Sequence, residues 1–196
     1  MIVEYFGIPG CGKTYQANLY KQELKANGIS YIDLSRWKGA PVWLKVFYKL
    51  ADKTFVFVPK YRRLKAQLRY LCNDVYGKEP KYLPFSVDYC IDRIIGSVFL
   101  QDIFGGRKKV AINDEGMMQW VVFLSVQYEI PIDNIVEVLK PVNGNCKTVY
   151  IDVSVEVAFN NIKKRNRHIC LMDEMDDLKL RNYLEEYSEL CNEIVS

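Results

Sequence analysis

The chain has 196 residues, 49% of them hydrophobic and 26% charged, with a formal net charge of +3. That size and apolar content suit one domain with its own core and room for an inserted lobe. The charge is too nearly balanced to indicate nucleic acid as a partner, and no apolar run is long enough to cross a bilayer.

Ile2, Val3, Tyr5 and Phe6 predict a short buried strand, followed by a glycine-rich loop and a helix over 14–27 that Gly28 ends as a C′ glycine. A second strand over 29–34 completes a strand–helix–strand unit. Residues 38–86 break the alternation. Val42, Val46, Phe47 and Leu50, then Leu64, Leu68 and Leu71, recur at helical spacing and predict a helical insertion, with 55–58 ambiguous between helix and strand and a loop over 78–84. A helix over 87–104 follows, closed by Gly105 and Gly106. Val110, Ala111 and Ile112 form a third strand ending at Asn113, Asp114 and Glu115. Helices over 116–128 and 132–139, a turn over 141–145, a fourth strand over 148–153 and a helix over 155–164 come next. A charged segment over 165–177 leads to a last helix reaching about Val195. This order predicts an α/β fold of three layers, with a parallel sheet of four or five strands and helices on both faces. It is read as one domain carrying the 38–86 insertion.

The six cysteines, Cys11, Cys72, Cys90, Cys146, Cys170 and Cys191, form no C-x-x-C pair. Neither a zinc site nor a disulfide framework is indicated, and buried free thiols in a reducing compartment are expected. The N-terminus shows no signal-peptide pattern, so the expected location is cytoplasmic.

Gly7-Ile8-Pro9-Gly10-Cys11-Gly12-Lys13-Thr14 matches G-x-x-x-x-G-K-[ST] at every fixed position, with an apolar strand before it and a helix after it. Backbone N–H groups must meet phosphate oxygens at close range, and glycine removes the Cβ that would block them. The helix N-terminus adds unpaired N–H groups and a favourable dipole. Lys13 brings charge to the β and γ phosphates, and Thr14 offers a hydroxyl to Mg²⁺. The expected ligand is a nucleoside triphosphate, ATP with Mg²⁺, held by Gly7, Pro9, Gly10, Cys11, Gly12, Lys13 and Thr14.

A second metal contact is expected at the end of a neighbouring strand, where Asp114 stands. Glu115 beside it is read as a base, a substrate contact or a surface group. Asp33 ends the second strand at the same carboxyl edge and is a catalytic candidate, and Asp152 is expected to cap the turn after the fourth strand. Arg165 and Arg167 follow the helix over 155–164 and suit a lid that brings positive charge to the transferred phosphoryl group. No N-K-x-D segment is present for guanine, and residues 102–105 imitate D-x-x-G without its partner motifs. The single histidine, His168, lies in the charged segment and reads as a surface group.

The order of these motifs resembles the thymidylate kinase-like branch of the nucleoside and nucleotide kinases. The P-loop carries the resemblance first. Ile91-Asp92-Arg93 opens a helix that runs through Gly105-Gly106 into Val110-Ala111-Ile112-Asn113-Asp114. Val149-Tyr150-Ile151-Asp152-Val153-Ser154-Val155-Glu156 is similar to the family's fourth strand, and Tyr183-Leu184-Glu185-Glu186-Tyr187 to its final helix. The resemblance implies a phosphoryl transferase with Arg93 near the acceptor, Arg165 or Arg167 on the transferred phosphate, and Asp33 assisting the acceptor. Where the family has D-R-Y, this chain has Asp114-Glu115-Gly116. An acid in place of an arginine disfavours a phosphate acceptor such as thymidylate and favours a hydroxyl acceptor. Small kinase-like proteins encoded with surface-polysaccharide genes are similar in having D-E-G and a helical insertion.

The expected acceptor contacts are Arg36, Arg93, Glu115 and Gln119, Arg93 as the resemblance implies. The expected partners are a nucleoside triphosphate and a small polar acceptor, with homodimerisation left open. Two other classes stay open at this level: an ATPase in which Glu115 orients water, and a nucleotide-binding interaction protein using the aromatic segment 37–48.

Overall fold

The computed structural model describes residues 1–34, 58–142, 146–165 and 171–195. Four strands form one parallel sheet: β1 (Ile2–Phe6), β2 (Tyr31–Asp33), β3 (Val110–Asn113) and β4 (Cys146–Tyr150), in the spatial order β2-β3-β1-β4. Seven α-helices accompany them among the described residues: α1 (Lys13–Ala26), α2 (Pro59–Leu71), α3 (Val87–Phe104), α4 (Met117–Tyr128), α5 (Ile132–Leu139), α6 (Val155–Arg165) and α7 (Asp177–Val195). The expected parallel α/β architecture is present, with four strands.

Alternation along the strands assigns the two faces of the sheet. Val3, Tyr5 and Ile112 pack against Ala17 and Leu24 of α1. Ile2, Ala111 and Leu34 pack against Leu100 and Phe104 of α3. The largest cluster extends from this second face through α3, α4 and α7. α4 is buried along nearly its whole length, as an apolar sequence such as Met117–Tyr128 requires.

Two strands differ in extent from those expected, for visible reasons. β2 starts at Tyr31 rather than 29, because the Ile29 N–H is already used. It donates to the Leu24 carbonyl at 2.8 Å while Gly28 N–H donates to Lys25 at 3.1 Å, closing α1 in a Schellman motif. β4 covers Cys146–Tyr150 rather than 148–153, because its ladder partner β1 ends at Phe6, opposite Tyr150. A last bond from Ile151 N–H to the Phe6 carbonyl follows, and the chain then leaves the sheet. Asp152 is therefore exposed beyond the strand and is not the observed cap. Ser154 caps α6, its Oγ accepting from Val157 N–H at 3.3 Å.

α2 is the described helical part of the 38–86 segment. Pro59 occupies its first turn, and Tyr61, Leu64 and Leu68 form the buried face. That face lies on α3, where the Tyr61 ring meets Phe99 edge-on and its hydroxyl donates to Asp102 at 2.7 Å. Lys65 of α2 pairs with Asp92 of α3. Of the ambiguous run 55–58 only Val58 is described, as the N-cap of α2, and the aromatic segment 37–48 lies outside the described residues. α3 is capped by Ser86, whose Oγ accepts from Tyr89 N–H at 3.2 Å. No helix among the described residues is long and apolar enough to cross a membrane.

A candidate nucleotide-phosphate site

The loop over 7–12 leaves the carboxyl end of the central strand β1 and enters α1 through Gly12, which has φ +93°. A side chain would strain that conformation. At Gly10 the constraint is a neighbour as well as φ. A Cβ there would lie 2.5 Å from the Ala158 carbonyl oxygen of α6. Asn161 on the same helix donates to the Gly10 carbonyl at 3.0 Å, so α6 buttresses the loop from below. Pro9 is buried within the loop and Cys11 packs into the core.

Lys13 folds back over the loop. Its Nζ donates to the carbonyls of Gly7 at 2.9 Å and Ile8 at 3.2 Å and lies 3.7 Å from Cys11 Sγ. These contacts hold the ammonium above the backbone that a phosphate would approach.

Thr14 Oγ1 donates to Asp114 Oδ2 at 2.7 Å, across the step from the P-loop to the end of β3. Asp114 is buried, and its other oxygen, Oδ1, has no hydrogen-bond partner among the described residues. An unpartnered carboxylate oxygen in a buried position is costly unless a cation completes it. A hydroxyl and one carboxylate oxygen, without a larger ligand cage, fit Mg²⁺, which takes its remaining ligands from water and phosphate. No cluster of three or more His, Cys, Asp or Glu side chains that could hold a metal ion is found among the described residues.

The remaining candidates are distributed around this centre. Asp33, at the end of β2, pairs with Lys21 of α1 at 2.7 Å; Lys21 is the more buried partner. Arg93 on α3 lays its guanidinium over the Trp120 ring of α4, with Cζ 4.8 Å from the ring centroid. Arg93 Nε and Trp120 Nε1 are both buried without a hydrogen-bond partner among the described residues. Glu115 is half-buried, and its N–H donates to Asn113 Oδ1 at 3.3 Å. Arg165 is exposed at the end of α6, one turn beyond Asn161 and so on the helix face that meets the P-loop. Arg36 and Arg167 lie outside the described residues.

Gln119, expected among the acceptor contacts, is placed on the P-loop. Its Oε1 accepts from Gly7 N–H at 3.3 Å, and its Nε2 donates to the Tyr187 hydroxyl of α7. Tyr187 donates in turn to the Gln119 carbonyl at 2.7 Å. Tyr187 is fully buried, and desolvation pushes its hydroxyl pKa well above the ordinary value.

Asn161, Tyr187 and Glu4 are contacts that the motifs do not reveal. Glu4 had a signal in the sequence: a carboxylate inside a five-residue strand that is otherwise apolar. It is 1% exposed, behind the Asp114 turn, and burial raises its pKa.

No protein-family model matches the chain, and no curated protein matches its sequence. Among solved structures, deoxyadenosine kinase from M. mycoides with bound dATP is similar at 18% identity and a TM-score of 0.49, over 100% of this chain and 86% of that one. The same enzyme with bound dCTP gives 17% identity and 0.48, over 100% and 85%. From its own strand order and loop geometry, the chain has a parallel α/β fold of the P-loop type, with the glycine-rich loop on the central strand and an acid just past the end of the strand beside it.

Proposed function

We propose that the protein catalyses ATP- and Mg²⁺-dependent phosphoryl transfer to the hydroxyl of a small polar acceptor, of the class of nucleosides, sugars and related metabolites. The observation that carries this reading is the bond between Thr14 and Asp114 beside the P-loop, with Asp114 Oδ1 buried and unpartnered among the described residues. In this reading Gly7, Pro9, Gly10, Cys11, Gly12 and Lys13 cradle the phosphates, and Thr14 and Asp114 hold the metal. Mg²⁺, when bound, neutralises charge on the β and γ phosphates.

The chain's own groups then supply position and charge. Lys13 exchanges its loop carbonyls for phosphate oxygens. Arg165, at the end of α6, brings further positive charge, and Arg167 is assigned the same role. Arg93, stacked on Trp120, keeps a guanidinium at the acceptor side, with Glu115 and Arg36 contributing acceptor contacts. Asp33 orients the acceptor hydroxyl from the end of β2. Close positioning of two reactants in a site without bulk water is enough for a large rate gain in this reaction class.

The test uses γ-labelled ATP with Mg²⁺ and a pooled panel of nucleosides, nucleotides, sugars and polar metabolites, with Lys13→Ala as control. Label entering one acceptor, and absent with Lys13→Ala, supports the kinase reading and names the acceptor. Phosphate released with no acceptor labelled would replace it with an ATPase. Bound ATP with no turnover would replace it with a binding protein.

A further inference from the structure

The Asp114-Glu115-Gly116 turn has no capping side chain of its own. Gly116 is the N-cap of α4 and offers no oxygen to the helix's first N–H groups. The missing acceptor comes from inside the sheet. Glu4 Oε2 accepts from Met117 N–H at 2.9 Å. Gln101 Nε2 of α3 donates to the same oxygen at 3.3 Å, and Asn113 Nδ2 donates to Oε1 at 3.4 Å. Glu4 and Asn113 are register partners on β1 and β3, so their side chains leave the same face of the sheet side by side. Asn113 Oδ1 then accepts from Glu115 N–H. A backbone donor at one end and a carboxylate acceptor at the other fix the orientation of the Asn113 amide. Turned over, it would set its NH₂ against Glu115 N–H.

Glu4 and Asn113 together therefore tie down the N–H groups of Glu115 and Met117, on either side of Gly116. The carboxylate also fills the space that a side chain at 116 would need. A Cβ on Gly116 would lie 2.3 Å from Glu4 Oε2. The glycine of this turn thus makes room for Glu4.

We propose that Glu4 is a positioning residue that, through Asn113, holds the Asp114-Glu115 turn in register with the P-loop; its consequence for the metal rests on the functional reading above. β1 ends in the phosphate loop, and the same strand supplies the carboxylate that sets the turn bearing Asp114. The separation of the two halves of the site is fixed from within one strand pair. The substitution Glu4→Gln keeps the shape and breaks the pattern. Its NH₂ would face Asn113 Nδ2, or force Asn113 to turn over and abandon Glu115 N–H.

The test has two readouts, taken on the full chain. The first is amide hydrogen exchange followed by NMR, without metal or nucleotide. Glu4→Gln is expected to speed exchange at Glu115 and Met117 at least tenfold while mid-helix amides of α3, such as Ile94, change less than twofold. The second is the affinity for a fluorescent ATP analogue in Mg²⁺ and in EDTA. The gain in affinity conferred by Mg²⁺ is expected to fall at least tenfold, with EDTA binding within about twofold of the parent. Unchanged exchange at both amides, or an unchanged Mg²⁺ gain, overturns the proposal. Should Glu4→Gln not fold, Asn113→Ala is judged by the same criteria at Glu115. A parent protein that binds no nucleotide sinks the functional reading, and the brace then stands or falls on the exchange rates alone.

Discussion

Asp114→Asn separates stability from binding, because the structure predicts opposite signs for the two. The parent carboxylate is buried with Oδ1 unpartnered among the described residues, while Oδ2 takes the Thr14 hydroxyl. A buried polar group left unsatisfied costs about 1–3 kcal/mol, and more when charged. The amide keeps an oxygen for Thr14 and removes the charge, so a gain of about 1 kcal/mol is expected for the free protein. In a chain of this size that raises Tm by about 2–4 °C. Binding should move the other way. At a ligand concentration of about 100 Kd, ATP with Mg²⁺ is expected to stabilise the parent by about 2.7 kcal/mol. Loss of the carboxylate contact is expected to weaken Mg²⁺-dependent affinity at least tenfold, which removes about 1.4 kcal/mol of that stabilisation. Thermal unfolding with and without ATP and Mg²⁺ reads both effects. A variant with lower Tm when free, and an undiminished shift with ATP and Mg²⁺, would refute the reading of Asp114 as an uncompensated metal ligand.

Other outcomes follow from the packing and the loop. Gly10→Ala should destabilise by about 1–3 kcal/mol, because it forces a side chain at φ +90° against the Ala158 carbonyl; urea midpoints measure it. Leu68→Ala, at a fully buried position on the inner face of α2, should cost about 2–5 kcal/mol in the same assay. Stability should also fall as the solution becomes alkaline. Burial pushes the Cys72 thiol up to about 11 and the Cys90 and Cys191 thiols up to about 12, from an ordinary 9.0. Above pH 9.0 the unfolded chain releases thiol protons that the folded chain keeps, so ΔG of unfolding declines from there toward pH 12. Cys90→Val should make that decline shallower, and an unchanged slope of urea midpoint against pH would count against the assignment.

Local signals made parts of this molecule legible in its sequence. The P-loop could be read because its contacts are mostly its own backbone, set by glycines and a lysine at fixed spacing. Helices α3 and α5 were bounded correctly, since Ser86 precedes one, Pro131 the other, and Gly105 follows the first. The strand ends were less legible because they depend on partners. Ile29 looks like strand but spends its N–H on α1, and β4 stops where β1 stops. Gln119 illustrates the same limit within the site. It was an expected acceptor contact, and only the fold shows that its amide joins Gly7 to Tyr187, a residue 68 positions away. Glu4 was visible as a charge interrupting an apolar strand, but its role needs three other segments to be placed around it.

The bond between Thr14 and Asp114 also bears on the order of folding. Its two ends are 100 positions apart in the chain, and they meet only once β3 has docked beside β1. Closing so long a loop is an entropic cost met before the site exists. A ligand that recognises both ends has nothing to grip in the unfolded chain or in an early intermediate holding β1 and α1 alone. Nucleotide with metal should therefore lengthen the lifetime of the folded protein while leaving its refolding rate unchanged.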